Sequence, residues 1–390
     1  MISVAEALDH VFSLVAPLPS ETVALRDALG RVLAATLNAR LTQPPFPSAA
    51  MDGFAIAGDT AAPGATYRVV GESAAGHGFG GTVGAGDCVR IFTGAPLPDG
   101  TDRVIIQEDV ARDGDRITLG DRLDTGHHVR AAGQDFRQGD AFQPRGALRP
   151  VDLALIAAMG HGQVTVTRRP EVAIIATGDE LVAPGETPGP DQIVASNNLG
   201  LAAMIDRAGG RARLLPIARD TTASLDTAFE LARGADMVVT IGGASVGDHD
   251  LVAQVAEGRG LERSFYKVAM RPGKPLMAGR LDGAPMLGLP GNPVSALVCG
   301  QVFVLPALRV LMGLPAAPAP RQTVPLGTDL PANGPREHYM RASLQDGRAH
   351  VADRQDSALL SVLAGADALV IRPPDDPPRG AGDTVEIIAL

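Results

Sequence analysis

Carboxylates recur in this sequence wherever an apolar run gives way to a loop. Asp179 and Glu180 follow the run 172–176, Asp220 follows 214–217, and Asp248 and Asp250 follow 237–241. Acids at the ends of neighbouring parallel strands converge on one sheet edge, where like charges repel. A metal ion relieves that repulsion, and magnesium shared between carboxylates and a substrate pyrophosphate suits the arrangement. Asp220 has a second reading, as a cap for a helix opening at Thr221-Thr222. Gly242-Gly243-Ala-Ser245-Val-Gly247 lies beside these acids. Its glycines let backbone N–H groups approach an anion, and the helix behind it adds its positive end. The same segment fits G-x-S-x-G between a strand and a helix, the setting of a serine nucleophile. An α/β serine hydrolase using Ser245 would need a later acid and histidine. His338 and His350 fall in a separate β-rich segment, and no HGGG-type oxyanion loop is present. Arg271-Pro-Gly-Lys274 sets two cations three residues apart across a rigid turn, which suits a small oxyanion or a phosphate. Gly76-His-Gly-Phe-Gly-Gly81 matches a dinucleotide fingerprint but lacks the flanking strand and helix, so it reads as a loop.

The elements that must position these groups follow from pattern. Ser3-Val-Ala-Glu6 is a capping box ahead of apolar residues at helical spacing, and a second helix is expected over about 25–34. Gln43-Pro-Pro-Phe-Pro-Ser48 breaks helical structure. From 44 to 140 short β-type runs alternate with glycine and proline, which predicts a small β-rich domain. A helix over about 151–159 follows and would pack back on the N-terminal helices, making the β-rich domain an insertion. From 171 the grammar is βαβ, with strands over 172–176, 214–217, 237–241 and 265–269. Helices are expected over 197–208, with Ser196 as cap, then 222–233 and 250–257. Asn292-Pro293 opens a long apolar helix, with Asn292 as cap. The stretch 283–308 carries no charge and imitates a membrane span, but its four prolines favour a turn and a buried helix. A proline-rich linker covers 314–320, and Asp346-Gly347 marks a hairpin in a final β domain. The fold class is therefore multi-domain: a helical N-terminal part (1–43 and 141–168), an inserted β-rich domain (44–140), a doubly wound αβα domain (169–314) and a small barrel-like β domain (321–390).

Composition narrows the partners. The 390 residues are 45% apolar and 20% charged, so the chain can bury several cores without staples. The net charge of −10 disfavours a non-specific nucleic-acid binder. No basic segment leads into an apolar one at the N-terminus, so no signal peptide and no membrane partner are expected. Two isolated cysteines, Cys88 and Cys299, point to a reducing, cytoplasmic setting and away from structural zinc.

Seven segments in order carry a family likeness. They are Pro47-Ser-Ala-Ala-Met-Asp52-Gly-Phe-Ala, Ile91-Phe-Thr93-Gly-Ala, Ala132-Gly-Gln-Asp135, Ala176-Thr-Gly-Asp-Glu180, Gly242-Gly-Ala-Ser-Val-Gly-Asp-His-Asp250, Arg271-Pro-Gly-Lys274-Pro and Leu289-Pro-Gly-Asn-Pro-Val-Ser295. Together they resemble the molybdopterin molybdenumtransferase (MoeA, molybdenum insertase) family, which includes the E domain of gephyrin. The likeness spans the chain. It implies an elongated homodimer that inserts molybdate into adenylylated molybdopterin, needs Mg2+, and releases AMP and molybdenum cofactor. It implies an active site between the α/β domain of one subunit and the small β domain of the other.

Carried over by motif, the catalytic group would be Asp52, Asp135, Glu180, Asp220, Asp250 and Lys274, with Glu180, Asp220 and Asp250 holding Mg2+. Asp52 and Asp135 would come from the second subunit. Substrate contacts would come from Thr93, Ser196, Asn197, Gly242, Gly243, Ser245, Gly247, Pro290, Gly291, Asn292, Pro293 and Ser295. Molybdate would sit on Arg271, Lys274, Arg341 and Ser357. The implied partners are the upstream molybdopterin adenylyltransferase and the recipient molybdoenzymes. Departures are Phe54 where Tyr is frequent, Arg271 where many members have Lys, Gln134 where an acid is common, and the middle residue of Gln355-Asp356-Ser357. A non-catalytic scaffold on the same fold is the alternative from another class. The retained acids and the Arg271–Lys274 turn argue against it, since a scaffold has no need of them.

Overall fold

A computed structural model describes residues 1–243 and 251–390. The chain divides into two compact units, one of residues 22–29 and 35–164 and the other of 1–21, 30–34 and 165–390.

In the first unit a six-stranded sheet runs in the order Arg103–Ile106, Gly53–Ile56, Asp87–Ile91, Thr66–Ser73, Arg116–Leu119, Val110–Asp113. Alternate residues point inward and make a core of Phe54, Ile56, Tyr67, Cys88, Ile105, Ile117 and Leu119. The helix Pro150–Ala158 lies beside a small cluster in which Leu155 and Met159 meet Ala39 and Phe136.

In the second unit the expected doubly wound sheet has six strands. We number them β1 (Glu171–Ala176), β2 (Arg211–Leu214), β3 (Met237–Ile241), β4 (Glu262–Lys267), β5 (Pro275–Leu281) and β6 (Ala284–Leu289). Their order is β2-β1-β3-β6-β5-β4. The first four in that order are parallel, and β5 runs antiparallel to both β6 and β4. Strand β1 is buried on both faces from Val172 to Ala176, as a central parallel strand covered by helices must be. The helices Thr222–Ala232 and Leu251–Gly258 cover one face through Leu225, Phe229, Val252 and Val255.

Two local expectations change, and a third holds with one added detail. No α-helix spans 25–34: Leu25–Asp27 is a single 3-10 turn, and Gly30 takes a left-handed φ of 74°. Arg31, 7% exposed, instead pairs with Glu21 and donates to Thr167 O at 2.8 Å. The second α/β strand is 211–214, not 214–217. It is an edge strand, and its Leu214 is exposed while Leu215 turns into the core. The apolar stretch after Asn292 is a helix through Leu311, with a π-turn over Gly300–Val304, and 78% of it is buried inside the fold.

The C-terminal sheet orders Met270–Arg271, Glu337–Gln345, Ala368–Arg372, Thr384–Ala389 and Gln322–Pro325, with Arg348–Val351 added beside Glu337–Gln345. Asp346 and Gly347 have φ of 50° and 72°, the two left-handed residues a tight hairpin requires. Met270–Arg271 pairs with Glu337–His338, so the chain joins this sheet just before the Arg271–Lys274 turn.

Candidate functional site

The carboxyl ends of β1, β3 and β6 carry the predicted loops. Thr177 N–H donates to Ile241 O at 2.9 Å, and Gly242 N–H donates to Leu289 O at 3.1 Å. A Cβ on Gly242 would lie 2.6 Å from Thr177 O, and one on Gly243 would lie 2.2 Å from Val252 Cγ2. Both glycines have left-handed φ, at 97° and 67°, so the backbone passes where no side chain fits. Ser245, Gly247 and Asp250 lie outside the described residues.

Acid placement is controlled by a residue the motifs missed. Arg219 Nη1 donates to Asp179 O at 3.0 Å and to Leu181 O at 2.9 Å, which ties the loop after β1 to the loop after β2. Asp179 Oδ1 accepts from Asp220 N–H at 3.0 Å. Asp179 is thus engaged by the backbone, while Glu180 and Asp220 keep their side chains for other partners. Glu180 lines a small pocket of about 70 Å³ with Thr177, Ile193, Ser196, Asn197, Gly291 and Pro293. Ser196 does not cap its helix; its hydroxyl donates to Asn197 Oδ1 at 3.3 Å. Asn197 Nδ2 donates to Gly291 O at 2.7 Å and fixes the turn after β6. Asn292 sits at the N-cap position without a side-chain cap bond, which leaves its amide available.

A second pocket of about 290 Å³ opens on the other side of that turn. Arg271, Lys274, Asn292, Ser295, Arg336 and Ser357 are among its lining residues. Arg271, Lys274 and Arg336 form no ion pair among the described residues, and Asp356, which also lines the pocket, offsets only part of their charge, so the lining keeps a net positive charge that an anionic ligand would offset. Ser357 reaches it from the C-terminal domain. Arg341 does not line it. The Arg341 side chain is fully buried, and its Nη2 donates to Asp356 O at 2.9 Å and Arg354 O at 3.3 Å. Burial, and then the Arg271 charge, lower its pKa. Its Nε and Nη1 have no partner among the described residues. Arg336 was missed because no motif marks it. The only signal was a run of polar residues entering an apolar strand.

The remaining predicted residues lie in the first unit. Thr93 donates to Asp52 Oδ1 through its N–H at 2.7 Å and its hydroxyl at 2.8 Å. These bonds, with the Arg90 field, hold the Asp52 carboxyl below its ordinary range. Arg90 is itself stacked on Phe54 and Phe92, at 5.0 and 4.8 Å from the ring centres. Asp135 is exposed and shares a shallow pocket with Gln43, Arg130 and Gln134.

Among the described residues no three His, Cys, Asp or Glu side chains gather as a metal cage. Magnesium does not need one: it commonly takes one or two carboxylates and completes its shell with water and phosphate. Glu180 and Asp220, at adjacent loop ends, fit that requirement. A larger cavity, about 850 Å³, lies at the opposite, amino end of β3 and β6. Its charged lining is already engaged, with Arg280 bonded to Gly283 O and Leu14 O and Asp236 paired to Arg168.

The sequence matches the MoeA N-terminal region (domain I and II) over residues 2–160, a probable molybdopterin binding domain over 173–310, and the MoeA C-terminal region (domain IV) over 323–390. It is 35% identical to a molybdopterin molybdenumtransferase of Nostoc sp., over 100% of this chain and 94% of that one. Molybdopterin molybdenumtransferase 2 of Mycobacterium tuberculosis is 35% identical over 94% of each chain. The crystal structure of a molybdopterin biosynthesis MoeA protein from Pyrococcus horikoshii superposes with a TM-score of 0.84 at 30% identity, covering 100% of this chain and 99% of that one.

Proposed function

The chain belongs to the MoeA family of molybdopterin molybdenumtransferases and acts in molybdenum insertion during cofactor biosynthesis, and we propose that its substrate is adenylylated molybdopterin, cleaved with Mg2+ as molybdate enters and AMP leaves. One observation carries this reading. The turn Pro290-Gly291-Asn292-Pro293 has a pocket on each side: Gly291 and Pro293 line the one that holds Glu180, and Asn292 lines the cationic one. A small part of the pterin–nucleotide beside Glu180 in the first, which holds only about 70 Å³, and a tetrahedral oxyanion in the second would be separated by a single turn. That proximity is what metal transfer onto two sulfurs requires.

Each residue then has a task. Lys274, Arg271, Arg336 and the Ser295 and Ser357 hydroxyls bind and orient molybdate through charge-assisted hydrogen bonds. The Gly242 N–H is committed to Leu289 O, so the backbone N–H of Gly243 is the one left to face the substrate's anionic part. Glu180 and Asp220, with Asp250, would hold Mg2+, which supplies charge neutralisation at the phosphoanhydride. Neither sulfur comes from the protein, because Cys88 and Cys299 are both buried, and burial raises their thiol pKa values, to about 12 for Cys88. Such free thiols also suit a cytoplasmic enzyme. Asp52 and Asp135 act from a second copy in a homodimer, so activity depends on dimerisation. The upstream adenylyltransferase would supply the substrate, and molybdoenzymes would receive the product.

The test is AMP release from adenylylated molybdopterin, with molybdate and Mg2+ each present or omitted. Release that needs both, with active cofactor formed, is expected. A folded protein that binds the nucleotide without turning it over would instead point to scaffolding.

A further inference from the structure

Strand pairing places three basic side chains in one row across the C-terminal sheet. Arg271 lies opposite His338 in parallel register, and His338 lies opposite Arg372 in antiparallel register. Directly opposed residues project from the same face, so His338 stands between two guanidinium-bearing neighbours. It is 6% exposed, and its Nε2 is buried without a hydrogen-bond partner among the described residues.

The charges that act most on it are those of four arginines, and the nearest pocket carboxylate is Asp356. Arg271 and Arg372 flank it on the neighbouring strands, Arg336 precedes it, and Arg341 follows on its own strand. Arg372 is partly offset by its pairing with Asp376. Glu337, next in the chain, accepts from the Tyr339 hydroxyl and lies 3.7 Å from Arg321. Burial, then Arg271 and the other arginines, push the His338 pKa down to about 4. The imidazole is therefore neutral at pH 7. Two of those arginines, Arg271 and Arg336, line the cationic pocket. A dianion seated there cancels part of the field that keeps the ring neutral.

We infer that His338 is a positioning residue for the oxyanion, acting through Arg271, and that its proton uptake is coupled to occupancy of the pocket. Anion binding raises the proton affinity of His338, and by reciprocity the protonated ring tightens the anion. The inference rests on the reading of that pocket as an oxyanion site.

Sulfate is the probe, being a tetrahedral dianion that does not titrate near the imidazole. The His338 Cε1–H resonance of the full chain, assigned by its loss in His338→Gln, is followed by NMR during acidification with and without saturating sulfate. The midpoint should rise when sulfate is present. A rise of one unit corresponds to sulfate bound about twofold tighter at pH 5 and about tenfold tighter below both midpoints. Calorimetry should find this acid gain in the wild type and not in His338→Gln. An unchanged midpoint, or an equal gain in both proteins, overturns the coupling and leaves the pocket standing. Sulfate that does not bind, or binds equally well to Lys274→Ala, overturns the pocket reading and the coupling with it. Should His338→Gln fail to fold, His338→Asn supplies both the assignment and the calorimetric comparison.

Discussion

The Val294 N–H donates to the carbonyl of Ser357 at 3.1 Å. Val294 belongs to the first turn of the helix after Asn292, where backbone N–H groups have no partner inside the helix. The C-terminal domain thus satisfies a donor of the α/β domain and sets Ser357 at the rim of the cationic pocket. Gln355 holds the same loop from beneath. Its Oε1 accepts from Arg341 N–H at 3.0 Å, and its Nε2 donates to Arg341 O at 3.0 Å and Ala352 O at 2.7 Å.

Gln355→Leu should therefore act at a distance. Losing three bonds to backbone groups, each worth about 1 kcal/mol, lowers the melting temperature by several degrees. KM for molybdate rises because Ser357 loses its place, although Arg271 and Lys274 are untouched. A destabilised variant with unchanged molybdate KM would show that loop position does not matter to the anion.

Lys274 is exposed and forms no ion pair among the described residues, so Lys274→Ala should fold as the wild type does. Deleting a charged donor to a bound anion costs about 1.5–3 kcal/mol, or roughly 10- to 100-fold in affinity. The rise is expected in KM for molybdate and not in the affinity for the pterin substrate. Equal loss for both substrates would place Lys274 elsewhere.

Asp220 gives the complementary case. Its backbone N–H is bonded to Asp179, and its carboxylate is exposed. Asp220→Ala should change stability by less than about 0.5 kcal/mol, as surface substitutions do. Mg2+-dependent AMP release should be lost. Full turnover in this variant would remove Asp220 from the metal site.

Features set by short-range chemistry were legible in the sequence. Ser3 and Glu6 form both bonds of the capping box that predicted the first helix, and Asp346-Gly347 makes the predicted hairpin. Glycines at 242 and 243 could be read as close-approach positions, and Arg271 and Lys274 do meet Ser357 in one pocket. Features set by distant partners were not legible. The expected helix over 25–34 fails because Arg31 is claimed by Thr167, 136 residues away. Arg219 is one arginine among many until the fold points its guanidinium at three carbonyls of another loop. Arg336 enters the cationic pocket only because Met270–Arg271 pairs with the strand that follows it.

Asp52 predicts a pH dependence. Its folded pKa is lowered, first by the Thr93 N–H and then by the Thr93 hydroxyl. The stability this contributes is present above the unfolded carboxylate pKa and is lost as pH falls through the lower, folded value. Thr93→Val removes the hydroxyl bond and keeps the backbone bond. The Asp52 midpoint, followed by carbon NMR of the carboxyl, should move part of the way back up. On the proposal that Asp52 serves turnover as an anion, the acid limb of the activity profile should move with it. A midpoint identical to the wild type would mean that the backbone N–H alone sets it.

Gly243 separates two reasons for a glycine. A Cβ there meets Val252 Cγ2 at 2.2 Å, and the residue also holds a left-handed φ of 67°. Gly243→Ala should therefore destabilise by more than the roughly 1–2 kcal/mol of a left-handed alanine alone, with activity lost as the loop shifts. Val252→Ala in the same chain removes the closest contact, though its own Cβ stays 3.0 Å away, and leaves the backbone strain. The double variant should recover part of the stability lost in Gly243→Ala, beyond the sum of the single effects, because the two sites are in contact. Activity should return only as far as the loop regains its path. Strictly additive effects in denaturant unfolding would show that backbone conformation, not crowding against Val252, makes glycine necessary here.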